Sequence, residues 1–146
     1  MIYSHLANRG FYEGPAGPVV YRQNISIPLI QDQQEYKIEE NSPVERNLMV
    51  GIWVTEAGAK TSATYTQASG DIFNGLVIEL QNQQNVILKK IPATQIKQAN
   101  DQGRPFYVFL PGPVNLSEST VHAYKNDTIA ANTVFEFQVE YVKTGR

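Results

Sequence analysis

The chain contains no cysteine, which removes disulfide staples, thiolate metal sites and cysteine nucleophiles together. Charge is also scarce: Asp, Glu, Lys and Arg make up 18% of the chain, against roughly 25% in ordinary soluble domains. Its 12 basic residues are offset by 14 acidic ones, for a formal net charge of -2. That balance supplies none of the positive field that phosphate backbones or anionic membranes select, so nucleic acid is not expected as a primary partner. No apolar run approaches the roughly 18 residues a membrane-crossing helix needs, and membrane insertion is not expected. The opening Met1-Ile2-Tyr3-Ser4-His5 has no basic segment leading into an apolar core, so synthesis in the cytoplasm without an encoded exit is the expectation.

What is present suits one globular core. The 146 residues, 42% of them hydrophobic, fit a single domain, because a second core would starve both of apolar area. Amides such as Gln31, Gln33, Gln34, Gln81, Gln83 and Gln84 fill the place of charge. A polar but weakly charged surface suits contact with other proteins, since amides cost less to desolvate than ions. Three Asn-x-Ser/Thr triplets, at Asn24, Asn115 and Asn126, arise by chance in a chain this rich in Asn, Ser and Thr.

Residues 1–18 read as an extended arm, with turn formers at Gly10, Gly14, Pro15, Gly17 and Pro18 and no strand or helix period. The arm carries Ile2, Tyr3, Leu6, Phe11 and Tyr12; exposing them would cost about 25 cal/mol per Å² of apolar area, so they are expected to grip a neighbour or lie over the domain. From Val19 a period of two sets in, and residues 19–146 form the β domain. Ile25, Ile27 and Leu29 share one face, while Pro28 marks an edge or a strand end. Further strands are predicted at Glu35 to Glu39, Leu48 to Thr55, Thr61 to Thr66, Phe106 to Leu110 and Thr120 to Lys125. Leu76 to Gln81 and Val86 to Ile91 form the clearest hairpin. In the last strand, Thr133 to Val142, Phe135, Phe137, Val139 and Tyr141 share a face. Ala68-Ser69-Gly70-Asp71 reads as a loop, and Thr94 to Ala99, after Pro92, is the only helix candidate, of one or two turns. About eight to ten short strands with almost no helix predict an all-β, antiparallel sandwich or barrel.

Signals for chemistry are sparse. Only two histidines occur, His5 in the arm and His122 in Thr120-Val121-His122-Ala123-Tyr124, and neither sits in a nucleophile motif. His122 is expected on a polar face or at a subunit contact; an enzyme would require it beside a carboxylate in a cleft. Glu79, Glu136 and Glu140 are scattered singly on strands, Lys89-Lys90 reads as a solvated edge, and Asp71 and Asp101 are too isolated to form a calcium loop. No glycine pattern opens a helix to cradle phosphate. No catalytic residue, metal site or cofactor is therefore assigned. Trp53, between Ile52 and Val54, is expected in the core; with Tyr65, Tyr107 and Tyr124 it would otherwise form a stacking platform for sugars.

The order of segments resembles a viral single jelly roll. The resemblance rests on the arm, the strand Ile25-Ser26-Ile27-Pro28-Leu29, and the hairpin of Leu76-Val77-Ile78-Glu79-Leu80 with Val86-Ile87-Leu88-Lys89-Lys90-Ile91-Pro92. It extends to Val114-Asn115-Leu116-Ser117-Glu118-Ser119 and the closing Phe135-Glu136-Phe137-Gln138-Val139-Glu140-Tyr141, which are similar to capsid proteins of icosahedral bacteriophages. It implies a structural virion protein, a penton or minor capsid subunit, since a double jelly roll needs about twice this length. The implied partners are further copies of the chain, in a ring of five for a penton, and other capsid proteins. The other reading is a carbohydrate- or receptor-binding sandwich of a phage appendage.

Overall fold

The computed structural model describes residues 13–14, 17–18, 20–39, 48–54, 65–82, 87–108 and 114–142. The strands are β1 (Glu13–Gly14), β2 (Gly17–Pro18), β3 (Val20–Pro28), β4 (Glu35–Lys37), β5 (Leu48–Val54), β6 (Thr66–Gln67), β7 (Leu76–Gln81), β8 (Ile87–Pro92), β9 (Phe106–Tyr107), β10 (Thr120–Ala123) and β11 (Thr133–Val142). Two helices, α1 (Gly70–Asn74) and α2 (Ala93–Asp101), complete the described elements.

One sheet has the order β3-β11-β5-β9, with β6 added beside β11; the other has the order β4-β10-β7-β8. Apart from the parallel β6–β11 pair, every pairing is antiparallel. With β1, β2 and β6 set aside, the first, eighth, third and sixth strands form one sheet and the second, seventh, fourth and fifth form the other. Consecutive strands change sheets at every step except the hairpin of the fourth and fifth, which is the order of the eight-stranded jelly roll. The chain is an all-β sandwich, as its alternating pattern predicts.

The pattern works because side chains alternate across each strand. Ile25 and Ile27 of β3, Phe135, Phe137 and Val139 of β11, and Ile52 of β5 turn inward. They meet Leu76, Ile78 and Leu80 of β7, Val121 of β10 and Ile91 of β8. Phe135 packs edge-on against Phe73 of α1 and tilts against Phe137, with centroids 6.4 and 5.2 Å apart. On β3 the alternate residues Asn24, Ser26 and Pro28 are exposed. The strand ends at Pro28 and lies on the sheet edge, as proline requires.

Two expectations change. Among the described residues there are two helices where at most one short one is predicted, because residues expected as a loop form α1. A single turn anchored by one buried residue, Phe73, is too short to write a 3.6-residue period into the sequence. The second helix, α2, runs nine residues, buries Ala93, Ile96 and Ala99, and takes Pro92 as its N-cap. In the arm, β1 and β2 pair with each other, Gly14 opposite Gly17. Ile2, Tyr3, Leu6, Phe11 and Tyr12 lie outside the described residues.

Candidate functional site

The outer faces of the two sheets each hold one polar cluster. On β10, Thr120 and His122 alternate with the buried Val121 and Ala123, so both point away from the core. Register places Thr120 opposite Glu79 and His122 opposite Val77 of β7. His122 Nε2 lies 2.7 Å from Glu79 Oε2 and 3.2 Å from Thr120 Oγ1. Tyr124 stacks on the imidazole, with centroids 5.8 Å apart and planes at 9°. The His122 and Glu79 side chains are only 16% and 10% exposed.

A carboxylate this close to Nε2 requires the proton on that nitrogen, which donates to Glu79. The remaining nitrogen, Nδ1, is buried and has no hydrogen-bond partner among the described residues. A hydroxyl–imidazole–carboxylate relay needs the carboxylate on one ring nitrogen and the nucleophile on the other. Here hydroxyl and carboxylate meet the same nitrogen, so the arrangement orients the ring without activating Thr120. The expected place of His122 on a polar strand face is what the geometry shows; its pairing with a residue 43 positions away has no local sequence signal.

The second cluster lies on β3, β5 and β11. Glu140 is 4% exposed and accepts from Arg22 Nε at 2.9 Å and from the Trp53 indole N–H. Arg22 also reaches Gln138 Oε1 at 3.4 Å and lies over the Trp53 ring, 5.0 Å from its centroid. Trp53 therefore stands outside the main core, contrary to its placement between two apolar residues. It is held by its polar N–H, and a burial pattern read from neighbours alone does not show that partner. Beside it, Val50 and Val142 are buried with Val20, Leu48 and Tyr107 packed against them.

The four aromatics proposed as a platform do not share one surface. Trp53 and Tyr107 belong to the outer face of the β3-containing sheet. Tyr124 extends from β10 in the other sheet, and Tyr65 precedes β6 beside the start of β11. Tyr124 and Tyr65 are exposed at 55% and 44%, singly and not as a row.

A further feature is the edge at β3, where among the described residues no other strand pairs. Between β3 of one sheet and the end of β4 in the other runs a groove of about 450 Å³, lined by residues 23–28, Lys37 and Glu39. Among the described residues, no cluster of three or more metal-ligating side chains occurs, and no helix is long and apolar enough to cross a membrane.

Compared with protein-family models, with curated proteins and with solved structures, the chain finds no match. Fold and surface chemistry are therefore the basis for its function.

Proposed function

We propose that this chain is a structural subunit of a virus particle, a penton or minor capsid protein made in the host cytoplasm and carried in the virion. It works by packing against further copies of itself and against other capsid proteins, and it is not an enzyme. The observation that carries the reading is the strand order β3-β11-β5-β9 over β4-β10-β7-β8, the jelly roll on which many shells are built. The weakly charged, amide-rich surface supports protein contacts over nucleic-acid contacts. The shared nitrogen of His122 supports a structural histidine over a catalytic one.

The test has two arms. Light scattering of the purified protein should give a discrete oligomer, and proteomic analysis of particles from the native source should find the chain as a stoichiometric component. A monomer in solution that is also missing from every particle overturns the reading.

A further inference from the structure

The phase of hydrogen bonding along β3 decides which of its backbone groups face away from β11; of these, Asn24 O accepts from Gln23 Nε2 at 3.5 Å. Leu29 N–H donates to Thr133 O at 2.9 Å, and β3 pairs with β11 without a register shift from Pro28↔Val134 to Val20↔Val142. In an antiparallel ladder, alternate residues point toward the partner. The amides of Tyr21, Gln23, Ile25 and Ile27 therefore face β11, and those of Val20, Arg22, Asn24 and Ser26 face outward. Pro28 falls on the outward set, where its missing N–H costs no ladder bond. Among the described residues no strand pairs with this outer edge.

A row of outward donors and acceptors on extended backbone is satisfied by another extended strand. We propose that the strand is β3 of a second copy, and that the β3 edge is a two-fold seam between two copies of this chain. Asn24 is the midpoint of Val20–Pro28, so a two-fold axis there pairs the strand along its whole length. Asn24 meets the partner's Asn24, Arg22 meets the partner's Ser26, and Val20 meets the partner's Pro28. Each outward N–H finds a carbonyl, the proline closes the seam at its end, and no like charges face each other. An axis at Arg22 would oppose two guanidinium groups, and an axis at Ser26 would set Asn24 against an imino nitrogen with no proton.

The second wall of the groove fits the same symmetry. Lys37 and Glu39, both exposed, line it from the opposite sheet. A two-fold contact is isologous, and in the proposed seam Lys37 of each copy is set toward Glu39 of the other, an arrangement of opposite charges that needs no second protein. This inference rests on the assembly reading and narrows it: a two-fold seam suits a minor capsid subunit bridging neighbours more than a closed five-fold ring.

The absence of native cysteine makes the test direct. Cα atoms across a hydrogen-bonded antiparallel pair are about 5.5 Å apart, within the roughly 4.4–6.8 Å that a disulfide spans. Asn24→Cys, at an exposed position, should therefore oxidise to a covalent dimer. Ser26→Cys should not, since its mate lies roughly 13 Å away along the strand. Ser26→Pro, which removes an outward N–H without touching the β11 ladder, should give a monomer with an unchanged circular dichroism spectrum. Lys37→Glu should weaken dimerisation at least tenfold, and Lys37→Glu with Glu39→Lys should restore it. Equal cross-linking at positions 24 and 26, or none at 24 in a protein that still self-associates, overturns the seam and leaves the assembly reading intact. A wild-type chain that is monomeric alone and within particles overturns the seam while sparing that reading. A monomer found in no particle overturns both.

Discussion

The side-chain amide of Gln67 completes the backbone ladder of Glu136. Its Oε1 accepts from Glu136 N–H at 2.8 Å and its Nε2 donates to Glu136 O at 3.2 Å. The residue lies where β6, which pairs with Thr133 and Val134, gives way to β5, which pairs from Phe137 onward. Gln67, 1% exposed, thus stands in for a missing strand residue. Replacing Gln67 by Ala should cost about 2–4 kcal/mol, because it removes both hydrogen bonds to the Glu136 backbone and opens a void where a buried side chain stood. Gln67→Glu should do no better, since a carboxylate cannot donate to the Glu136 carbonyl. Urea unfolding of both variants measures this; a loss below about 0.5 kcal/mol for Gln67→Ala would contradict the role.

Gly75 is required by close approach. A Cβ at this position would lie 2.6 Å from Lys125 Cγ and 2.8 Å from the Lys125 backbone nitrogen. Gly75→Ala should destabilise the fold by about 1–3 kcal/mol. Adding Lys125→Ala removes the Cγ clash but keeps Cβ at 3.0 Å and the backbone nitrogen at 2.8 Å, so it should recover only part of the loss. Full recovery in the double variant would show that the backbone contact yields at no cost.

The His122–Glu79 pair is nearly buried, and removing one partner strands the other. Glu79→Ala should cost about 1–3 kcal/mol. Replacing both residues by Leu should come within about 1 kcal/mol of the wild type, as buried pairs exchanged for apolar ones often do. Thermal unfolding of Glu79→Ala, of Glu79→Leu and His122→Leu singly, and of the double Leu variant checks this. A double variant as unstable as the sum of the singles would show that the two side chains act independently.

Trp53→Phe keeps an aromatic ring under Arg22 but removes the indole N–H from Glu140, and a loss of about 1–2 kcal/mol is expected. Glycan-array binding should be absent in the wild type. Binding that disappears on Trp53→Ala or Tyr65→Ala in folded protein would favour the receptor-binding reading.

The strands were legible because burial alternates along them. Ile25, Ile27, Phe135, Phe137 and Val139 mark inward faces that any two-residue period would reveal. The helix α1 was not, since a single turn buries only Phe73. Trp53 was misplaced because apolar neighbours signal a buried strand but not the face on which one ring stands. The polar clusters were illegible for another reason. Arg22 and Glu140 are 118 positions apart, and only the pairing of β3 with β11 brings them together. The outward phase of Asn24 and Ser26 likewise depends on which partner β3 takes.

Self-assembly is read from the solution mass, measured by light scattering over a wide range of concentration and salt. A 16.4 kDa chain that assembles should give a discrete oligomer, with an even number of copies if the β3 seam forms. A clean monomer at every concentration would contradict self-assembly.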